Sequence, residues 1–195
     1  MSANIVLVDY GMGNLHSVKK KLLRLNENPI ITSSKEEILN ADKVILVGVG
    51  NFKKAMLNLN QLNIVDALNE IALVKKKPVL GICLGMQLMA NKSEEGGVDG
   101  LGWVDGNVVK ITVSDRTKYK VPHMGWNSIN KIKDSPLMEG IPNKSEFYFI
   151  HSYYFKPNHS DCILNETEYA FTFVSAFQQE NIYGVQYHPE KSHDN

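Results

Sequence analysis

Cysteine is scarce in this chain, with two in 195 residues. That excludes a disulfide framework and fits a reducing compartment. Charge of one sign is also missing: 21 basic residues face 21 acidic ones, for a formal net charge of zero. A balanced surface offers no electrostatic footprint for DNA, RNA or an anionic membrane. No apolar run is long enough to span a bilayer. The N-terminus runs straight into Ile5-Val6-Leu7-Val8, without a signal-peptide pattern, so a cytoplasmic protein without membrane contact is expected. Repeats, low-complexity tracts and linker-like segments are absent too. With 43% hydrophobic and 22% charged residues, residues 1–195 are expected to form a single domain with a sizeable core. The basic runs Lys19-Lys20-Lys21 and Lys75-Lys76-Lys77 adjoin helical apolar patterns and read as solvated helix faces.

What is present is an alternation of strand and helix patterns. Residues 4–10 read as a buried strand, and Leu15, Val18, Leu22 and Leu25 recur at helical spacing. Short strands are expected over residues 29–32 and 43–47, a short helix over 36–39, and helix over 56–74 with an interruption near Asn60. Residues 78–82 form the next strand. Such alternation implies right-handed βαβ units. After Gly100 the pattern shifts to short strands between Gly, Asn, Asp and Pro turns, which suggests antiparallel pieces. The expected fold class is α/β: a three-layer sandwich around a mostly parallel sheet, with an antiparallel extension.

The strand over residues 78–82 runs into Gly81-Ile82-Cys83-Leu84-Gly85, and a helical pattern follows at once. This is the nucleophile-elbow arrangement with Cys in place of Ser. The turn is too tight for Cβ atoms beside the nucleophile, hence the two glycines. The sulfur would sit at a helix start, where free N–H groups favour thiolate over thiol. The bland alternative is a buried core thiol. A second strand-like run, Tyr183-Gly184-Val185-Gln186-Tyr187-His188-Pro189-Glu190, ends in His-x-Glu. On an extended strand His188 and Glu190 would share a face, and Pro189 would end the ladder there. A thiol nucleophile needs a base, and the base needs a group to orient it. Cys83, His188 and Glu190 therefore form a candidate catalytic triad, against the alternative of a solvated strand end.

Gly-Ile-Cys-Leu-Gly-Met-Gln at residues 81–87 and Gln-Tyr-His-Pro-Glu-Lys at residues 186–191 resemble the class I (triad) glutamine amidotransferases. Asp9-Tyr10-Gly11-Met12-Gly13-Asn14, Val121-Pro122-His123-Met124-Gly125-Trp126-Asn127 and Phe149-Ile150-His151-Ser152-Tyr153-Tyr154 narrow the likeness. Together they resemble the glutaminase subunits of imidazole glycerol phosphate synthases and their close paralogues, over residues 4–192. The resemblance implies a flavodoxin-like glutaminase fold, no cofactor and no metal. Cys83 would attack the glutamine side chain and form a glutamyl thioester. His188 would protonate the leaving ammonia and then activate water, with Glu190 orienting it. The oxyanion needs fixed N–H donors, each worth about 3 kcal/mol. Leu84 N–H is one candidate, and the Gly48-Val49-Gly50 loop should supply the other. By the same resemblance Gly50, Gln87, Glu95 and Ser152 would contact glutamine, while His151 and Tyr153 line the region through their backbones. For Glu95 the residues alone favour an exposed acidic loop position.

An ammonia producer of this size needs a separate acceptor enzyme. The resemblance implies a (β/α)8-barrel synthase joined as a heterodimer, with imidazole glycerol phosphate synthesis in histidine biosynthesis as the main reading. Alternatives are a sugar-amidating synthase of surface-polysaccharide biosynthesis, a catalytically silent regulatory subunit, or another Cys hydrolase of similar fold. Two departures from the family pattern stand out. Relatives usually read Pro-Gly-Val-Gly where this chain has Val47-Gly48-Val49-Gly50; valine restores an N–H and loosens φ, and tilts the choice slightly toward a paralogue. Relatives also carry a final helix after His-Pro-Glu-Lys-Ser, whereas this sequence stops at Asn195. Gly11-Met12-Gly13-Asn14-Leu15-His16 mimics a dinucleotide fingerprint but lacks the third glycine and the acidic partner; the resemblance instead sets this loop on the synthase-facing side. His16, His159 and His193 lack metal-ligand spacing. His123 is expected to serve in loop packing or an interface, and Cys162 in a core strand.

Overall fold

A computed structural model of the chain describes residues 3–192. The first half alternates strand and helix: β1 (Ile5–Val8), α1 (Leu15–Arg24), β2 (Ile30–Thr32), α2 (Lys35–Leu39), β3 (Lys43–Gly48), α3 (Phe52–Gln61), α4 (Val65–Asn69), β4 (Val79–Cys83) and α5 (Leu84–Leu88). The second half is mostly strand: β5 (Lys92–Ser93), β6 (Val98–Asp99), β7 (Gly106–Lys110), β8 (His123–Ser128), β9 (Asn130–Lys131), β10 (Glu146–His151), β11 (Tyr153–Pro157), β12 (Ile163–Glu168), β13 (Thr172–Gln179) and β14 (Ile182–Val185).

An eight-stranded sheet runs in the order β2-β1-β3-β4-β14-β13-β12-β9. Its first five strands are parallel, and β13, β12 and β9 extend it antiparallel. The decisive pairing is β14 with β4, register Val185↔Ile82. It brings the last strand beside the elbow strand. Both faces of the sheet are covered, so β1 and β3 read as unbroken apolar runs rather than alternating ones. Their residues nonetheless divide by period two. Val6, Val8, Val44 and Leu46 face a core shared with α2, α3 and α4. Ile5, Leu7, Ile45 and Val47 face the other core, with Leu15 and Val18 of α1 and Phe147 and Phe149 of β10. This is the expected three-layer α/β sandwich. Two small sheets flank it, β11-β7-β5-β6 and the antiparallel pair β10-β8.

Local details differ from the sequence pattern. The helical stretch starts at Phe52, with Asn51 capping Lys54 N, and α3 ends at Gln61, at the interruption expected near Asn60. Asn63 has φ 54°, a left-handed conformation that asparagine tolerates. The chain then resumes as α4 and widens into a π-helical turn, Glu70–Val74. Val47 is fully buried inside β3, opposite Ile82, and packing suffices to explain a valine there. Among the described residues no helix is long and apolar enough to cross a membrane.

Candidate active site

Strand β4 ends on Cys83, whose φ of 54° and ψ of −110° lie outside the regions comfortable for a non-glycine residue. Such strain is held by the surroundings. A Cβ on Gly81 would come within 2.6 Å of Met86 N, and one on Gly85 would run into the Leu46 carbonyl. The two glycines thus let α5 fold straight back on the sheet. Cys83 lies opposite Gly48 in the β3–β4 register, at the floor of an open cleft of about 450 Å³.

Beyond Ile82 and Val185 the β4–β14 ladder stops, because β4 turns into α5 after Cys83. The expected strand up to His188 therefore ends at Val185. A 3-10 turn, Pro189–Lys191, follows His188, and this turn, not extended backbone, brings His188 and Glu190 together. His188 Nδ1 lies 2.7 Å from Glu190 Oε1 with both side chains hidden from water. The segment is clipped to β10: His188 N donates to Tyr148 O at 2.9 Å, and the Ser192 hydroxyl donates to His188 O at 2.7 Å. Tyr148 N in turn donates to Ser192 Oγ at 3.1 Å. Nε2 of His188 is buried without a closed hydrogen bond. Burial alone would depress its pKa, but the adjacent Cys83 sulfur and the Glu190 carboxylate outweigh that and raise it to about 9. Thiol, imidazole and carboxylate thus stand in a row beneath the cleft. Such a row can carry acyl transfer.

Eight of the other predicted site residues line the cleft: Val49, Gly50, Leu84, Gln87, Glu95, His151, Ser152 and Tyr153. Gly48 lies beneath, packed against Leu84 and the hydroxyl of Tyr10. That hydroxyl is buried without a partner, and burial, then the charge of Cys83, pushes its pKa up. Glu95 is half-buried rather than exposed. Its Oε2 accepts from Phe52 N at 2.7 Å, tying its loop to the start of α3 just after the Gly48–Gly50 turn. Gln87 is buried, with Nε2 donating to Tyr153 O and to Gln186 Oε1, each at 2.9 Å. Gly13 sits where a Cβ would meet Val47 O at 2.7 Å; close packing on β3 explains the glycine that mimics a dinucleotide motif.

Several contributors were not anticipated. Gln186 Nε2 lies 3.5 Å from Cys83 Sγ; the signal was a glutamine inside an apolar strand run. Pro122, Ile150 and Lys191 also line the cleft, and the Lys191 ammonium stands 5.8 Å from the Tyr148 ring centroid. His123 is buried on β8, with Nδ1 3.0 Å from Nε2 of His151, and its ring stacks on Tyr169 of the β12–β13 connection. The His151 ring is itself buried and bonds Tyr153 O at 2.8 Å through Nδ1. Burial lowers the two pKa values to about 4 for His123 and about 3 for His151. Cys162 ends a 3-10 turn and is half-buried rather than set in a core strand. His16 and His159 are exposed, and His193 lies outside the described residues. Among the described residues no group of three or more His, Cys, Asp or Glu could hold a metal.

Comparison with known proteins fits this geometry. Residues 6–195 match the family model of class-I glutamine amidotransferases. Imidazole glycerol phosphate synthase subunit HisH 2 of Methanococcus maripaludis is 46% identical over 189 residues, covering 97% of this chain and 93% of the relative. Imidazole glycerol phosphate synthase subunit HisH of Methanocaldococcus jannaschii is 47% identical over 194 residues, covering 96% and 92%. A glutamine amidotransferase crystal structure from Thermotoga maritima shares the fold with a TM-score of 0.72 at 16% identity, covering 97% of this chain and 77% of that one.

Proposed function

The chain belongs to the class-I glutamine amidotransferases, and from that premise we infer that it is the glutaminase subunit of an imidazole glycerol phosphate synthase in histidine biosynthesis. The observation that carries the chemistry is Cys83, held at φ 54° on its elbow beside a His188 bonded to Glu190 at 2.7 Å. The Cys83 sulfur, its proton passed to His188, attacks the carboxamide carbon of glutamine. The tetrahedral oxyanion is met by Leu84 N–H and by an N–H of the Gly48–Gly50 turn. Collapse breaks the C–N bond, His188 gives its proton to the departing nitrogen, and ammonia leaves a glutamyl thioester. Water then attacks the thioester with His188 as base, releasing glutamate and restoring the thiol. Glu190 holds Nδ1–H and supports the imidazolium.

The same reading makes residues 1–195 one amidotransferase domain that works in the cytoplasm as a heterodimer with a (β/α)8-barrel synthase, which consumes the ammonia. The intact row of Cys83, His188 and Glu190 counts against a silent regulatory subunit. The relatives' names favour the histidine pathway over sugar amidation, and Val47, an ordinary core residue, gives no support to the latter. The test has two arms. A glutamine-mimicking electrophile should label Cys83 and spare Cys162, read by mass mapping. Glutamate release should be low for the chain alone and rise strongly with the synthase and its acceptor. Labelling at Cys162 alone, or no glutaminase activity with the partner present, would overturn the reading.

A further inference from the structure

His151 lines the cleft and His123 is bonded to it; the Cys83 chemistry uses neither ring, yet their hydrogen bonds have a fixed direction. The Tyr153 carbonyl can only accept, so the 2.8 Å contact requires a proton on His151 Nδ1. Burial keeps this ring neutral, which makes its Nε2 an acceptor. His123 Nδ1, 3.0 Å away, must then be the donor. His123 is neutral as well, so its Nε2 accepts from Asn127 Nδ2 at 3.3 Å. The Asn127 amide cannot be flipped, because the same nitrogen donates to Glu168 O at 2.7 Å and its Oδ1 accepts from Ser128 N at 2.8 Å. Every polar atom of the chain is satisfied in this one arrangement. The His123 ring is also held flat, stacked against Tyr169 at 4.1 Å and Phe149 at 5.0 Å between centroids.

The chain ends on Tyr153 O, which Gln87 also grips. Ser152 and Tyr153 form one wall of the cleft. We propose that His123 and His151 are positioning residues, which hold the Ser152–Tyr153 wall in glutamine-binding geometry through a one-way hydrogen-bond chain from Asn127 to the Tyr153 carbonyl. Neither touches the reacting atoms, so their effect belongs in glutamine affinity rather than in turnover. The kinetic part rests on the glutaminase reading above; the proton positions do not.

Two measurements test this. Long-range proton–nitrogen NMR correlations of the full chain at neutral pH should show both rings as neutral Nδ1–H tautomers; an Nε2–H tautomer or an imidazolium at either position overturns the proposal. In the assembled enzyme, His123→Phe should raise the glutamine KM about tenfold while kcat stays within about threefold. His123→Asn, whose amide nitrogen donates from about the place of Nδ1, should recover most of that loss. An unchanged KM in a folded His123→Phe variant, or an equal loss of kcat that Asn does not rescue, contradicts it. Should the Phe variant fail to fold, the tautomers of the unaltered protein decide. A parent enzyme without glutaminase activity would instead sink the functional reading and leave the tautomer prediction standing.

Discussion

His188 and the His123–His151 pair are hidden from water to nearly the same degree, 0% exposed against 2% and 6%, yet their proton affinities diverge. His188 is raised to about 9, while its counterparts fall to about 4 and about 3. Burial pushes all three downward. What separates them is the partner. His188 has a carboxylate on Nδ1 and the Cys83 sulfur nearby; His151 has a carbonyl and another imidazole, and among the described residues neither ring of the pair bonds a carboxylate. A buried imidazole becomes a proton carrier where an acid supports its charged form, and otherwise serves as a neutral, directional spacer.

The largest effect that could break this contrast is His188→Asn. It should cut glutamate release by the assembled enzyme about 10⁴-fold, while synthesis from added ammonia continues. A loss below about tenfold would move His188 into the spacer class. Glu190→Gln comes next: with the supporting charge gone, turnover should fall about 10³-fold, with steady-state kinetics as the check. His151→Asn sharpens the other side. It keeps a donor toward Tyr153 but cuts the bond to His123, so glutamine KM should rise about tenfold, as for His123→Phe, with kcat within about threefold.

The smallest effect concerns stability against pH. His188 has a raised folded pKa, so its stabilisation is complete below pH 6.5 and is lost as pH rises through about 9. The pair acts in the opposite sense. The unfolded chain takes up protons near pH 6.5 that the folded rings refuse, so stability falls as pH drops from 6.5 toward 4. Denaturant midpoints should show His188→Asn flattening the alkaline limb and His123→Asn the acid limb, each by about 1–2 kcal/mol. Parallel pH profiles for parent and variants would show that these rings do not titrate as argued.

The half of the site that sequence makes legible is the half enforced by local geometry. Gly81 and Gly85 announce the elbow because no Cβ fits there, and the strand–helix alternation up to Cys83 implies the parallel sheet that β2-β1-β3-β4-β14 forms. His188 and Glu190 were legible as a pair, although the 3-10 turn that joins them was not, since it depends on β4 leaving the ladder at Cys83. The His123–His151 pair left no local trace. It exists because β8 and β10 place the two residues opposite each other, register His151↔His123, and a lone histidine in a turn-rich stretch says nothing of a partner 28 positions away. The same holds for Glu95, which reads as a loop carboxylate until the fold sets it at the start of α3.

The contrast between the two histidine environments is tested most directly by following the three imidazoles by NMR across pH 4 to 10. His188 should carry both ring protons at pH 7 and lose one near pH 9. His123 and His151 should stay neutral, with the proton on Nδ1, down to about pH 4. A His188 that is neutral at pH 7 beside a charged His123 or His151 would contradict the account.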